Sequence, residues 1–334
     1  MKEVIHNINK QTYIIFINLE LNGGIGIVEM LKRSNILALV GGGTYPMFSK
    51  NKIIIYDDHA GLIVRQIRFN SEVIAVKIRT DCVIGIIEDK IIILNINTLD
   101  TIDIIVIDKI NNNIYGISDS VNRLYLSFPE YKSKGKVQIE KYFISSKFTK
   151  KEEKRIINAH DSDLSFTILN NEGTLLVTAS EKGSHIKIFN VSTGDFLAEF
   201  KKEKKCKISS LVFDNCSDVL GYSTESGKIF VFNISDLKKV ININHIYNDK
   251  NNDNNKKDAN KKNEKNQIRI KIKLKEKPIS TFNIEEGRNI IGFVEPKSFV
   301  ILDSKGKFYK LSYHFKFGKK SLLLEESFIK IDDK

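Results

Sequence analysis

Five lysines crowd into the eight residues Phe200-Lys201-Lys202-Glu203-Lys204-Lys205-Cys206-Lys207. Short hydroxyl side chains precede them at Thr178, Ser180 and Ser184, with a further cation at Lys187. A phosphate group accepts hydrogen bonds, and hydroxyl and ammonium donors gathered round one cationic focus suit it. A lysine run alone is usually a solvated loop. The hydroxyls on the β runs before it give this one a second ingredient of an anion site.

Other candidate chemistries fail on context. Gly23-Gly24-Ile25-Gly26 resembles a piece of a phosphate loop, but no helix follows and no Gly-Lys-Ser/Thr closes it. It is expected to be a turn between strands. Gly41-Gly42-Gly43 likewise lacks a helix N-terminus to hold a phosphate. His160-Asp161, with Ser162 and Ser165 nearby, has no nucleophile elbow. A turn histidine bonded within its own repeat is the expectation there. Cys82, Cys206 and Cys216 fit neither a disulfide framework nor a zinc spacing. No catalytic residue, metal or cofactor is therefore expected, and the chain is read as a binding protein.

The elements that must position these groups are short β runs. Ile53-Ile54-Ile55-Tyr56, Ile63 to Phe69, Val73 to Ile78, Cys82 to Ile87 and Ile91 to Leu94 are rich in β-branched residues and closed by polar residues or glycine. A repeat orders them. Leu175 to Ser180, Gly183, Ile186 to Asn190 and Thr193-Gly194 form one unit. Val219 to Ser223, Gly227 and Ile229 to Asn233 repeat it, and Ile36 to Val40 with Asn51 to Asp58 and Gly61 is an earlier copy. A period near 40 with four strands per repeat predicts a WD40-like β-propeller. The chain has no tryptophan, and Phe189 and Phe232 stand where such repeats carry one. A phenyl ring still serves as the apolar plug between blades.

The 334 residues carry a formal net charge of +12, with 41% hydrophobic and 28% charged residues. That content supports a core and excludes wholesale disorder. The charge favours anionic partners, yet no base-stacking motif accompanies it, so nucleic acid is not expected. The apolar run Tyr13 to Leu19 is short and contains Asn18, and no stretch of about 18 apolar residues exists. A soluble, cytosolic chain able to sit peripherally on a membrane is expected. Residues 248–266 are almost wholly Asn, Lys and Asp. They are expected to be a disordered loop within one domain spanning 1–334, either without function or as a basic membrane contact.

Ala159-His160-Asp161, then Thr178-Ala179-Ser180-Glu181-Lys182-Gly183-Ser184, then Ile186-Lys187-Ile188-Phe189, resembles the PROPPINs, the phosphoinositide-binding propellers that include the WIPI and autophagy-related protein 18 groups. Ala38-Leu39-Val40-Gly41-Gly42-Gly43 and Asn51 to Asp58 are similar to the smaller WIPI proteins. The likeness runs from about residue 13 to about residue 313. It implies seven blades and two headgroup sites flanking a Phe/Leu-Arg-Arg-Gly motif, which here is Phe200-Lys201-Lys202-Glu203. The first site then maps to Thr178, Ser180, Gly183, Ser184, Lys187 and Lys201, keeping its donors and charge. The second maps to Lys202, Thr224 and Lys228, with Phe230 replacing the family's histidine and Glu203 adding a negative charge. The family's membrane-inserting loop corresponds to about Ser235 to Gln267, where the Asn/Lys tract cannot insert.

The resemblance implies a monomeric adaptor for phosphatidylinositol 3-phosphate and 3,5-bisphosphate. It would be recruited from the cytoplasm to phagophore, endosomal or vacuolar membranes, with an autophagy lipid-transfer protein or another autophagy factor as partner. The alternative is a protein-interaction scaffold with weakened lipid binding. Deleting residues 248–266 is predicted to leave the melting temperature within error, because the tract offers no burial to offset its ordering entropy. Differential scanning calorimetry of the deletion variant checks this.

Overall fold

The computed structural model describes residues 23–325, apart from 109–113, 122, 146–147, 183, 202–205, 238–277, 279, 295–297, 306 and 317–318. The Asn/Lys tract at 248–266 and the run at 13–19 lie outside the described residues.

Isoleucine-rich sequences such as Lys-Ile-Ile-Ile-Tyr-Asp at 52–57 cannot bury themselves as surface helices but pack well on a pleated face. The described residues form 24 strands in six antiparallel sheets of four, each sheet ordered as its strands occur in the chain. The first holds β1 (Ile25–Met30), β2 (Ile36–Gly41), β3 (Lys52–Asp57) and β4 (Leu62–Arg68). The second holds β5 (Val73–Ile78), β6 (Cys82–Ile87), β7 (Lys90–Asn95) and β8 (Thr101–Val106). The third holds β9 (Gly116–Ile117), β10 (Arg123–Pro129), β11 (Lys136–Ile144) and β12 (Thr149–Asn158). The fourth holds β13 (Leu164–Leu169), β14 (Leu175–Ser180), β15 (His185–Asn190) and β16 (Phe196–Lys201). The fifth holds β17 (Ile208–Phe213), β18 (Val219–Thr224), β19 (Lys228–Asn233) and β20 (Ser280–Asn283). The sixth holds β21 (Asn289–Val294), β22 (Ser298–Asp303), β23 (Phe308–Lys316) and β24 (Lys319–Glu325).

This is an all-β propeller, but the expected seven blades are corrected to six among the described residues. The first five sheets start 43 to 48 residues apart, not about 40, and the segment around the polar tract separates β19 from β20. A longer repeat and a long insertion leave room for fewer blades in the same length.

Apolar layers join consecutive sheets. Ile53, Ile55 and Ile67 of the first sheet meet Val76, Val83 and Leu94 of the second. Ile84, Ile91 and Ile93 meet Leu124, Phe128 and Tyr142 of the third. Phe189 lies in the layer with Val137, Ile139 and Ile157, between the third and fourth sheets. Phe232 lies against Phe200, with ring centroids 4.2 Å apart, between the fourth and fifth. Both phenyl rings thus fill the plug position expected of them, and each buried ring contributes roughly 1.5–3 kcal/mol.

Polar clamps reinforce these layers. The buried Arg79 guanidinium donates to Asp81 at 2.8 Å through two nitrogens, and to the carbonyls of Ser118 and Ser120 in the third sheet at 2.7 and 2.8 Å. The Tyr142 hydroxyl donates to Asp103 Oδ2 of the second sheet at 2.6 Å, and Lys151 Nζ reaches Asp103 at 3.0 Å and Glu140 at 2.8 Å. Burial pushes the Asp103 carboxyl up, but the bonds from Tyr142 and Lys151 outweigh it and hold the group below its ordinary range. A carboxyl depressed by folding stabilises the fold above its unfolded pKa, and that contribution is lost as pH falls through the folded value. Asp103→Asn is therefore expected to flatten the acid limb of a stability-versus-pH curve below about pH 4, as followed by urea denaturation at each pH.

Candidate functional site

The fourth sheet brings the predicted donors together by strand direction. β14 ends at Ser180, the chain turns, and β15 starts at His185. β16 runs back so that Lys201 lies opposite His185. Ser180, Ser184, His185 and Lys201 therefore share one end of the sheet, and the linker carrying the remaining lysines leaves from that end.

Alternation sets which way these side chains face. Thr178 and Lys187 are paired across β14 and β15, and directly paired residues point to the same side. Phe189, on the same alternation, packs against the third sheet, so Thr178, His185 and Lys187 face that sheet too. Thr178 is fully buried, and its Oγ1 is 2.9 Å from His160 Nε2. Lys187 Nζ donates to the Ala159 carbonyl at 2.9 Å. Both groups hold the linker that enters the fourth sheet. Ser184 and Lys201 keep solvent access, and Ser184 Oγ lies 3.0 Å from His185 Nδ1. Gly183 lies outside the described residues.

His185 was missing from the sequence prediction. Only the register of the β15–β16 hairpin, which turns at Thr193-Gly194 and places Leu197 in a bulge, puts it opposite Lys201.

The second predicted cluster is assembled differently. Lys202 and Glu203 lie outside the described residues. Thr224 is fully buried and closes its own hairpin. Its Oγ1 is 2.9 Å from Ser226 Oγ and accepts the Lys228 N–H at 3.2 Å. Lys228 begins β19, and Phe230 stacks on Tyr222 with centroids 4.7 Å apart at 17°. An aromatic stack occupies the place of an imidazole donor.

The glycine clusters have a packing role. A Cβ on Gly41 would lie 1.6 Å from the Phe48 carbonyl oxygen, and one on Gly42 would lie 2.3 Å from Gly26 Cα. These glycines let backbone segments touch where any side chain would separate them.

The fold and this grouping define a β-propeller that presents hydroxyl, imidazole and ammonium groups at one end of a sheet. The chain belongs to the PROPPIN family, whose sequence profile matches residues 20–245. Autophagy-related protein 18e of Arabidopsis thaliana is 29% identical over 215 residues, covering 63% of this chain and 55% of that protein. Autophagy-related protein 18 of Dictyostelium discoideum is 26% identical over 227 residues, covering 68% and 59%. The chain thus spans little more than half the length of these relatives. Among solved structures, Hsv2 of Kluyveromyces lactis with its complete loop 6CD superposes with a TM-score of 0.69 at 17% identity, over 91% of this chain and 85% of that one. KlAtg21 in complex with the coiled coil of AgAtg16 gives 0.63 at 16% identity, over 89% and 83%. At that identity the likeness is one of fold.

Replacing Thr178 by valine keeps the shape and leaves the buried His160 ring without that partner. One intramolecular hydrogen bond contributes about 0.5–1.5 kcal/mol. Thr178→Val is expected to lower unfolding stability by that amount in urea denaturation.

Proposed function

We propose that this chain is a non-enzymatic, peripheral membrane adaptor of autophagic or endosomal membranes that binds phosphatidylinositol 3-phosphate or 3,5-bisphosphate. The observation that carries the reading is the convergence of Ser180, Ser184, His185 and Lys201 at the strand end from which the lysine linker departs. In this reading Gly183, Ser184 and Lys201 meet the headgroup, and Ser180, 1% exposed, lies behind them. Thr178 and Lys187 position the frame through His160 and Ala159. Membership of the PROPPIN family and similarity to autophagy-related proteins 18e and 18 support the process. Among the described residues no helix is long and apolar enough to cross a membrane, in keeping with peripheral attachment. The KlAtg21 complex with a coiled coil supports a protein partner as well, an autophagy lipid-transfer protein or a coiled-coil factor. The chain acts as a monomer and as one propeller domain in this reading.

A second reading, a protein scaffold with little lipid affinity, is favoured by the other cluster. There the Thr224 hydroxyl is engaged in its hairpin and Phe230 is stacked on Tyr222, so Lys202, Thr224 and Lys228 make a poor headgroup site.

Lysine in place of arginine sets the strength. A guanidinium grips phosphate through two parallel hydrogen bonds, whereas an ammonium is a mobile point charge. Losing one limb of such a fork weakens binding by about tenfold. Binding to vesicles containing phosphatidylinositol 3-phosphate is therefore expected to be weak and to fall with salt. Changing Lys201 and Lys202 to threonine is expected to abolish flotation with those vesicles. Restoring arginine at both positions and glycine at Glu203 is expected to strengthen it. Equal flotation of the threonine variant and the parent would favour the scaffold.

A further inference from the structure

In each sheet the turn between the second and third strands lies at the same end as the linker to the next sheet, because the strands alternate in direction. The turns of that end differ in charge. In the second sheet the turn is Glu88-Asp89, and in the fifth it is Glu225-Ser226-Gly227. In the sixth, Lys305 and Lys307 are both paired with Glu285. The β10–β11 turn of the third sheet, beside the candidate site, is of another kind. Tyr131 is 47% exposed at its tip, and Lys132 and Lys134 are exposed with it. Lys132 Nζ lies 5.0 Å from the Tyr131 ring centre.

Two carboxylates are engaged with the turn itself, while Asp161 and Asp163 on the linker it touches are exposed. Asp108 Oδ2 accepts the Lys132 backbone N–H at 2.5 Å, and Glu130 pairs with Lys136 at 3.6 Å. Among the described residues neither the Lys132 nor the Lys134 ammonium is in an ion pair. The turn is also fixed to the candidate site. The Gly135 carbonyl accepts the N–H groups of Ala159 and His160 at 3.0 and 2.9 Å. Gly135 has φ +65, and a Cβ there would lie 1.7 Å from the His160 carbonyl oxygen, so the two backbones are in contact. Ala159 and His160 are the residues that Lys187 and Thr178 hold.

We infer that the β10–β11 turn is a second membrane contact, in which Tyr131 enters the headgroup layer of an anionic bilayer while Lys132 and Lys134 meet lipid phosphates. An amphipathic ring flanked by lysines suits that layer, with the apolar body inward and the charges at the phosphate level. Each lysine near an anionic surface is worth about fivefold in binding. Its backbone tie to the Ala159–His160 linker holds the turn and the headgroup-binding end in one arrangement, so both face the same surface.

This inference rests on the membrane-adaptor reading, and the experiment separates the two. The chain has no tryptophan, so Tyr131→Trp places a single indole at the tip. The variant is mixed with phosphatidylcholine vesicles, with and without phosphatidylserine and phosphatidylinositol 3-phosphate, and followed by sedimentation and by emission. The expected result is sedimentation with the anionic vesicles, a blue-shifted emission and quenching by brominated acyl chains. Adding Lys132→Glu and Lys134→Glu is expected to weaken that binding by about tenfold or more. Sedimentation with unshifted emission, or a charge-reversed variant that binds like the parent, overturns the second contact and leaves the adaptor reading standing. No sedimentation with phosphoinositide vesicles beyond that with phosphatidylcholine alone overturns both.

Discussion

Burial on both faces of the central strands is the constraint on which everything else rests. β6, β14 and β18 have no exposed residue along their lengths. A sheet of that kind has no stable existence alone, since each face needs an apolar neighbour to displace water. The consequence reaches the site directly. Thr178 and Lys187 lie on the face of the fourth sheet turned to the third, and the linker they grip is held between the two. The positions of Ser184 and Lys201 are therefore set by inter-sheet packing as much as by local turns.

The architecture was largely legible in the sequence because burial on both faces leaves a strong signal. Runs such as Ile-Ile-Ile-Leu in β7 and Leu-Leu-Val-Thr-Ala-Ser in β14 admit few other readings. The phenylalanines standing in for tryptophan were legible for the same reason, since only a large apolar group suits a layer between sheets. Blade number was not. It depends on loop and linker lengths, which carry no hydrophobic pattern, and the first five sheets start 43 to 48 residues apart where a period near 40 is expected from the sequence.

Site residues were legible as types, less so as roles. Thr178 and Thr224 stand out in the sequence as hydroxyls near a lysine run, yet both are fully buried and bonded within the frame. Parity along a strand decides this, and parity is hidden wherever a bulge intervenes. His185 was missed because its closeness to Lys201 exists only in the pairing register. The glycines at 23–26 read in the sequence as a turn between strands and those at 41–43 as lacking a helix to hold a phosphate; the structure gives both groups a packing role. Close contact of two backbones leaves no signature beyond the absence of side chains.

The bulges themselves recur with unusual regularity. One extra residue interrupts the pairing of the first strand in the first, second, fourth and fifth sheets, at Gly26, Ile74, Ser165 and Ser209. Another interrupts the fourth strand in the first four sheets, at Val64, Ile102, Glu152 and Leu197. Each bulge shifts the inside–outside assignment of the strand by one position. The repeat thus works as a reading frame of two. Substituting a bulged residue changes one side chain, whereas losing it from the chain exchanges the buried and solvent-facing sets of the whole strand end. In the evolution of such a repeat, a single-residue deletion at these positions disturbs far more of the strand than a point change does, so drift of the sequence leaves the bulges in place.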